Sequence, residues 1–80
     1  MEAVTLNKTE QALVDSLLIG TEKEVIENPY SGQSIECEPE AVALHDFIKG
    51  CEALRLHDKF SLALGIFMKK YPEEYMVLLD

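Results

Sequence analysis

Apolar residues recur at helical spacing from Asn7 to Ile19, where Leu13, Val14, Leu17 and Leu18 make one stripe. Asn7, followed three residues on by Glu10, has the form of a capping box. Gly20 is placed to end this helix in a left-handed conformation. The pattern then changes to two short runs with β-branched residues, Glu24-Val25-Ile26-Glu27 and Gln33-Ser34-Ile35-Glu36-Cys37. Between them lies Asn28-Pro29-Tyr30-Ser31-Gly32. Pro29 sets φ for a turn and Gly32 accepts a positive φ, which predicts a β-hairpin over about residues 23–37 with a longer loop. Ile35 and Cys37 share one face of the second strand and require a helix to pack on, since an isolated hairpin is marginal.

Helical periodicity returns after Glu38-Pro39-Glu40. Proline suits the first helical position and acids suit the positive end of the dipole. Leu44, Phe47, Ile48, Cys51 and Leu54 form the clearest amphipathic stripe, interrupted by Gly50, where a neighbour could approach closely. Asp58 is a candidate cap for a third helix from Lys59 to Lys70, and Pro72 starts a short last one. The expected fold is mainly α, bordering on α+β, with three to four helices and one β-hairpin between helices 1 and 2. Residues 1–80 read as a single small helical domain.

The third helix has an unusual pattern. Between Phe60 and Met68 only Ser61 and Gly65 are not apolar. Phe60, Ala63, Leu64 and Phe67 are expected to face the core, while Leu62 and Ile66 point elsewhere. The last helix, residues 1–4 or a second copy of the chain would have to cover that second face. Self-association through Leu62 and Ile66, giving a homo-oligomer, is the expectation.

Composition narrows the classes. A chain of 80 residues with 48% hydrophobic content holds a core, though a small one. Its net charge of −8 argues against direct binding to nucleic acid or to an anionic membrane. Residues 22–46 hold seven acids against Lys23 alone, a net of −6, leaving −2 for the rest. That block is either a solvated face, with Glu36, Glu38 and Glu40 as its edge and helix cap, or a mimic of nucleic-acid phosphate. No apolar run is long enough to span a bilayer, and Met1 to Val4 lack the form of a secretory signal, so the expected location is cytoplasmic.

Candidate chemistry is sparse. Cys37, His45, Cys51 and His57 are metal-ligand types, but zinc ligands usually come in closer pairs. A six-residue helical step also sets His45 and Cys51 about 120° apart. No metal and no cofactor is expected; the cysteines read as free buried hydrophobes and His45 as a rim residue. No nucleophile elbow or phosphate-cradling glycine loop is present, so the chain reads as non-enzymatic. The loop is the most specific local feature. Asn28, Tyr30 and Ser31 offer a stacking ring and hydrogen-bonding groups to a ligand or partner. Alternatively Pro29, Ser31 and Gly32 only make the turn, and Tyr30 packs over the hairpin.

Three segments resemble small uncharacterised proteins of tailed bacteriophages: Asn28 to Gly32, Glu38 to Gly50 (EPEAVALHDFIKG) and Phe67 to Asp80 (FMKKYPEEYMVLLD). The resemblance implies a context, a bacterial host cytosol during infection, and a small protein that modulates or inhibits a host protein or pathway. It assigns no residue. Leu56 to Pro72 is also similar to the second helix of a tetratricopeptide unit, but a solenoid needs about three units and there is room for one. A rival expectation is a sponge for a small nucleotide-like signal, for which Lys23, Lys49 and Arg55 are the nearby cations.

Overall fold

A computed structural model describes residues 5–79. Its elements run α1 (Lys8–Ser16), β1 (Glu24–Glu27), β2 (Ser34–Cys37), α2 (Pro39–Leu54), α3 (His57–Lys70) and α4 (Pro72–Leu78). The architecture is mainly α with one antiparallel hairpin between α1 and α2, as the pattern predicts.

The capping box forms at α1. Asn7 Oδ1 accepts from the Glu10 N–H at 2.8 Å, and Glu10 Oε1 accepts from the Asn7 N–H at 3.0 Å. The helix stops at Ser16, short of Ile19, with Leu17 already extended at φ −75° and ψ 145°. The Ser16 hydroxyl donates to the Leu13 carbonyl at 2.6 Å, and Leu17 N–H bonds only three residues back, to Val14. These local bonds close the last turn, so Gly20 is not the cap. The predicted stripe therefore loses its end: Val14 is buried, Leu13 and Leu17 pack against the core, and Leu18 is 99% exposed.

In the hairpin Glu24 pairs with Cys37, Val25 with Glu36, Ile26 with Ile35 and Glu27 with Ser34. Paired residues share a face, so Ile26, Ile35 and Cys37 lie on the inner side. Val25, Glu27, Ser34 and Glu36 form an exposed outer one. β2 packs on α2 and α4.

The centre of the core is the α2–α3 pair. Ala41, Leu44, Ile48 and Cys51 line the buried face of α2, while Leu54 beyond them is exposed. The helix ends at Arg55 in the left-handed region, φ 58° and ψ 39°. Arg55 N–H reaches Glu52 O at 3.2 Å and Leu56 N–H reaches Cys51 O at 2.9 Å, a Schellman-type closure made without glycine. The chain re-enters helix at His57, so Asp58 sits inside the first turn of α3 rather than capping it. Among the described residues no neighbouring atom lies within 4 Å of where a Gly50 Cβ would stand, so no close approach among them requires the glycine.

The buried face of α3 differs from the expected one. Ala63, Ile66 and Phe67 are fully buried, whereas Phe60, Leu62 and Leu64 are half-buried. Ile66 therefore cannot meet a second copy of the chain, and Leu62 packs against the chain's own core. The reason is that three elements, α1, α2 and α4, pack on α3, so a nearly all-apolar helix is enclosed from several sides. Residues 1–4, the other segment considered for that role, lie outside the described residues.

Two ion pairs join these elements. Lys69 Nζ donates to both carboxylate oxygens of buried Glu10, at 2.8 and 3.0 Å, tying α1 to the end of α3. Lys70 and the Tyr71 hydroxyl both donate to Glu40 Oε1, the hydroxyl from 2.8 Å, which ties the first turn of α2 to the α3–α4 junction. Glu40 is thus a partly buried structural carboxylate and not a solvated cap. The Tyr71 ring lies 5.8 Å from that of Phe67 in a tilted contact.

A candidate binding cleft beside the hairpin loop

Where the hairpin loop approaches the helices it leaves a cleft of about 510 Å³. Its size falls in the range of small-ligand sites, which run from roughly 300 to 1,000 Å³. One wall is the loop, with Glu27, Asn28, Pro29 and Tyr30. The opposite wall is a face of α2, where His45, Lys49 and Glu52 stand at steps of four and three residues. Such steps set side chains in one row. Phe60, Leu64, Leu78 and Leu79 make the apolar floor.

Asn28 is used by the fold. Its Oδ1 accepts from the Tyr30 N–H at 2.9 Å, and its Nδ2 donates to the Val77 carbonyl at 3.0 Å. The first bond is an Asx turn; the second fastens the loop to α4 across 49 residues of sequence. Asn28 N–H also bonds to Gln33 O at 2.7 Å, and Gly32, at φ 75°, returns its N–H to Asn28 O at 2.9 Å. Ser31 Oγ accepts from the Gln33 N–H at 3.2 Å and does not line the cleft. Two of the three loop residues singled out in the sequence thus use side-chain polar groups to hold the loop, Asn28 in the turn and to α4 and Ser31 in the turn. Tyr30 does not fold over the hairpin: it is 95% exposed, on a loop stiffened from both sides.

On the helical wall His45 is mostly buried, and its Nδ1 has no hydrogen-bond partner among the described residues. Burial, with repulsion from Lys49, lowers its pKa against the opposing pull of Asp46, whose Oδ1 lies 3.8 Å away. His45 is therefore neutral near pH 7. Among the cations expected near the loop only Lys49 lines the cleft; Lys23 lies 4.0 Å from Glu36 on the hairpin, and Arg55 ends α2. The row of His45, Lys49 and Glu52 was readable as helical spacing, but nothing local showed that the loop would face it.

A second groove of about 170 Å³ opens on the other side of α2. Glu22, Glu24 and Asp46 rim it, with Val42 and Ala43 beneath. The acidic block of residues 22–46 is thus split between two faces of the molecule. Cys37 and Cys51 are free and buried, and burial raises the pKa of the Cys37 thiol. Among the described residues no three His, Cys, Asp or Glu side chains gather in a way that could hold a metal ion. No helix among them is long and apolar enough to cross a membrane.

Comparison of the chain with protein-family models, with curated proteins and with solved structures finds no match.

Proposed function

We propose that the chain is a small non-enzymatic binding protein of bacteriophage type that modulates a host protein in the bacterial cytosol. The observation that carries this reading is Tyr30: a fully presented aromatic ring on a pinned loop, at the mouth of a cleft with an apolar floor. Exposed aromatic residues on rigid loops are common anchors of protein interfaces, because little side-chain freedom is lost on contact. The resemblance of three segments to small phage proteins supplies the cellular setting.

The net charge of −8 adds that a partner surface should be basic. A sponge for a nucleotide-like signal fits less well. Lys49 faces two carboxylates, Glu27 and Glu52, in the same cleft, and a phosphate would be repelled by both.

The test is affinity capture from a bacterial lysate with the tagged chain and with its Tyr30→Ala variant. A single host protein held in stoichiometric amount by the natural sequence and lost by the variant supports the reading. Equal retention by both sequences, or co-purified nucleotide in place of a protein, overturns it.

A further inference from the structure

We propose that the cleft is a socket for an arginine side chain carried on a basic segment of the partner protein; the inference rests on the reading that the chain binds a protein. Three properties of the lining converge on this group. The Tyr30 ring stands at the mouth with its surface free, and a planar guanidinium stacks on such a ring by both cation–π attraction and flat contact. The floor of Phe60, Leu64 and Leu78 suits the methylene stem that arginine buries behind its charge. Glu27, at the loop end of β1, and Glu52, on α2, both line the cleft, and neither has an ion-pair partner within 4.0 Å among the described residues. A forked donor with five N–H groups can serve two carboxylates at once, whereas an ammonium is a single point.

The charges in the cleft are two negative and one positive, since His45 is neutral. That balance selects a cation and rejects a phosphate. The surroundings favour a cation attached to a protein. The chain's net charge of −8 acts on an extended basic surface far more than on one small ion. Lys49 opposes the occupant, which makes it the sharpest probe.

The experiment is amide-shift titration of the full chain by NMR with the blocked tripeptide acetyl-Gly-Arg-Gly-amide. Saturable shifts are expected at Tyr30, Glu52 and Leu64, with weaker ones from the lysine tripeptide. Tyr30→Ala and Glu52→Gln alter exposed side chains, so both variants should keep the native spectrum. Each should weaken binding by roughly fivefold. Lys49→Gln should tighten it by about two- to fivefold. Shifts spread over residues 22–46 and indifferent to these variants would overturn the socket, as would weaker binding in Lys49→Gln. Tighter binding of ethylguanidinium than of the tripeptide would point to a free metabolite and overturn the protein-borne occupant. Host-protein capture that depends on Tyr30 while the tripeptide leaves the cleft unshifted removes the arginine socket alone. Cleft shifts without any Tyr30-dependent capture remove the protein-binding reading instead.

Discussion

The α2–α3 pair and the hairpin are held by different means. The helices bury Leu44, Ile48, Ile66 and Phe67 almost completely, each worth roughly 1.5–3 kcal/mol. The hairpin buries only Cys37 completely; Ile26 and Ile35 are half-covered, and Val25 on the outer face is 68% exposed. What holds the loop in place is largely polar: the turn bonds of Asn28, Ser31 and Gly32, and the single bond from Asn28 to Val77. Packing makes the helical half the source of stability, while hydrogen bonds give the hairpin a shape. A loop so held can present an exposed ring without collapsing onto it.

The comparison breaks first at Phe67. Phe67→Ala should cost about 3–5 kcal/mol and leave the chain largely unfolded, since the site is enclosed and cannot relax. Ile35→Ala, half-buried on the hairpin, should cost about 1–2 kcal/mol. Urea denaturation followed by circular dichroism measures both; equal losses would put the two regions on the same footing. Ile66→Glu should likewise abolish folding rather than release a monomer.

Acid comes next, because three groups act with the same sign. The hydrogen bond from Lys69, with that from the Asn7 N–H, lowers the pKa of Glu10 below the ordinary 4.5. At Glu40 burial works upward, but the bonds from Lys70 and Tyr71 outweigh it and the net shift is downward. His45 lies below 6.5 through burial and Lys49. In each case the unfolded chain binds the proton more readily, so the stabilisation is present above the unfolded pKa and lost as pH falls. Melting temperature should decline first below about pH 6.5, from His45, and again below about 4.5, from the carboxylates. His45→Gln should remove the first decline and keep the second. Tyr71 shifts the other way: burial and the Glu40 carboxylate raise its pKa, so stability should also fall as pH rises beyond 10.

Asn28→Ala sharpens the contrast at lower cost. Losing the bonds to Val77 O and Tyr30 N–H should destabilise by about 1–2 kcal/mol. Hydrogen exchange should quicken at Gly32 and Gln33 and stay slow at Ile48 and Phe67. Uniform acceleration would mean that the loop and the core open as one unit.

The smallest effect should be a gain. Gly50 lies in the exposed interior of α2 with open space around its Cβ position, so Gly50→Ala should add about 0.5–1 kcal/mol. Any loss would show that the added methyl group meets a neighbour within the chain.

Much of this architecture follows from local rules that the chain obeys without help. The Asn7–Glu10 box, Pro39 and Pro72 at helix starts, Gly32 at a positive φ, and Leu44, Ile48 and Cys51 of the α2 stripe act over a few residues, so they are legible in order along the chain. Phe47 of that stripe is only half-buried and Leu54 is exposed, and Ala41 joins the buried face instead. The direction of α3 is not. With seven apolar residues between Phe60 and Met68, several faces qualify, and only packing against α1, α2 and α4 selects Ala63, Ile66 and Phe67 as the buried one. The same holds for the carboxylates. Glu10 and Glu40 read as surface helix-start acids, and it takes Lys69 and Lys70, 59 and 30 residues away, to make them structural. The cleft is the clearest case. Tyr30 and Asn28 read as a turn, and His45, Lys49 and Glu52 follow helical spacing, but their meeting depends on the hydrogen bond to α4 and on how the hairpin lies against the helices. Periodicity records which side of an element is apolar; it carries no term for which distant element will stand opposite, and that is set by the closure of the whole core.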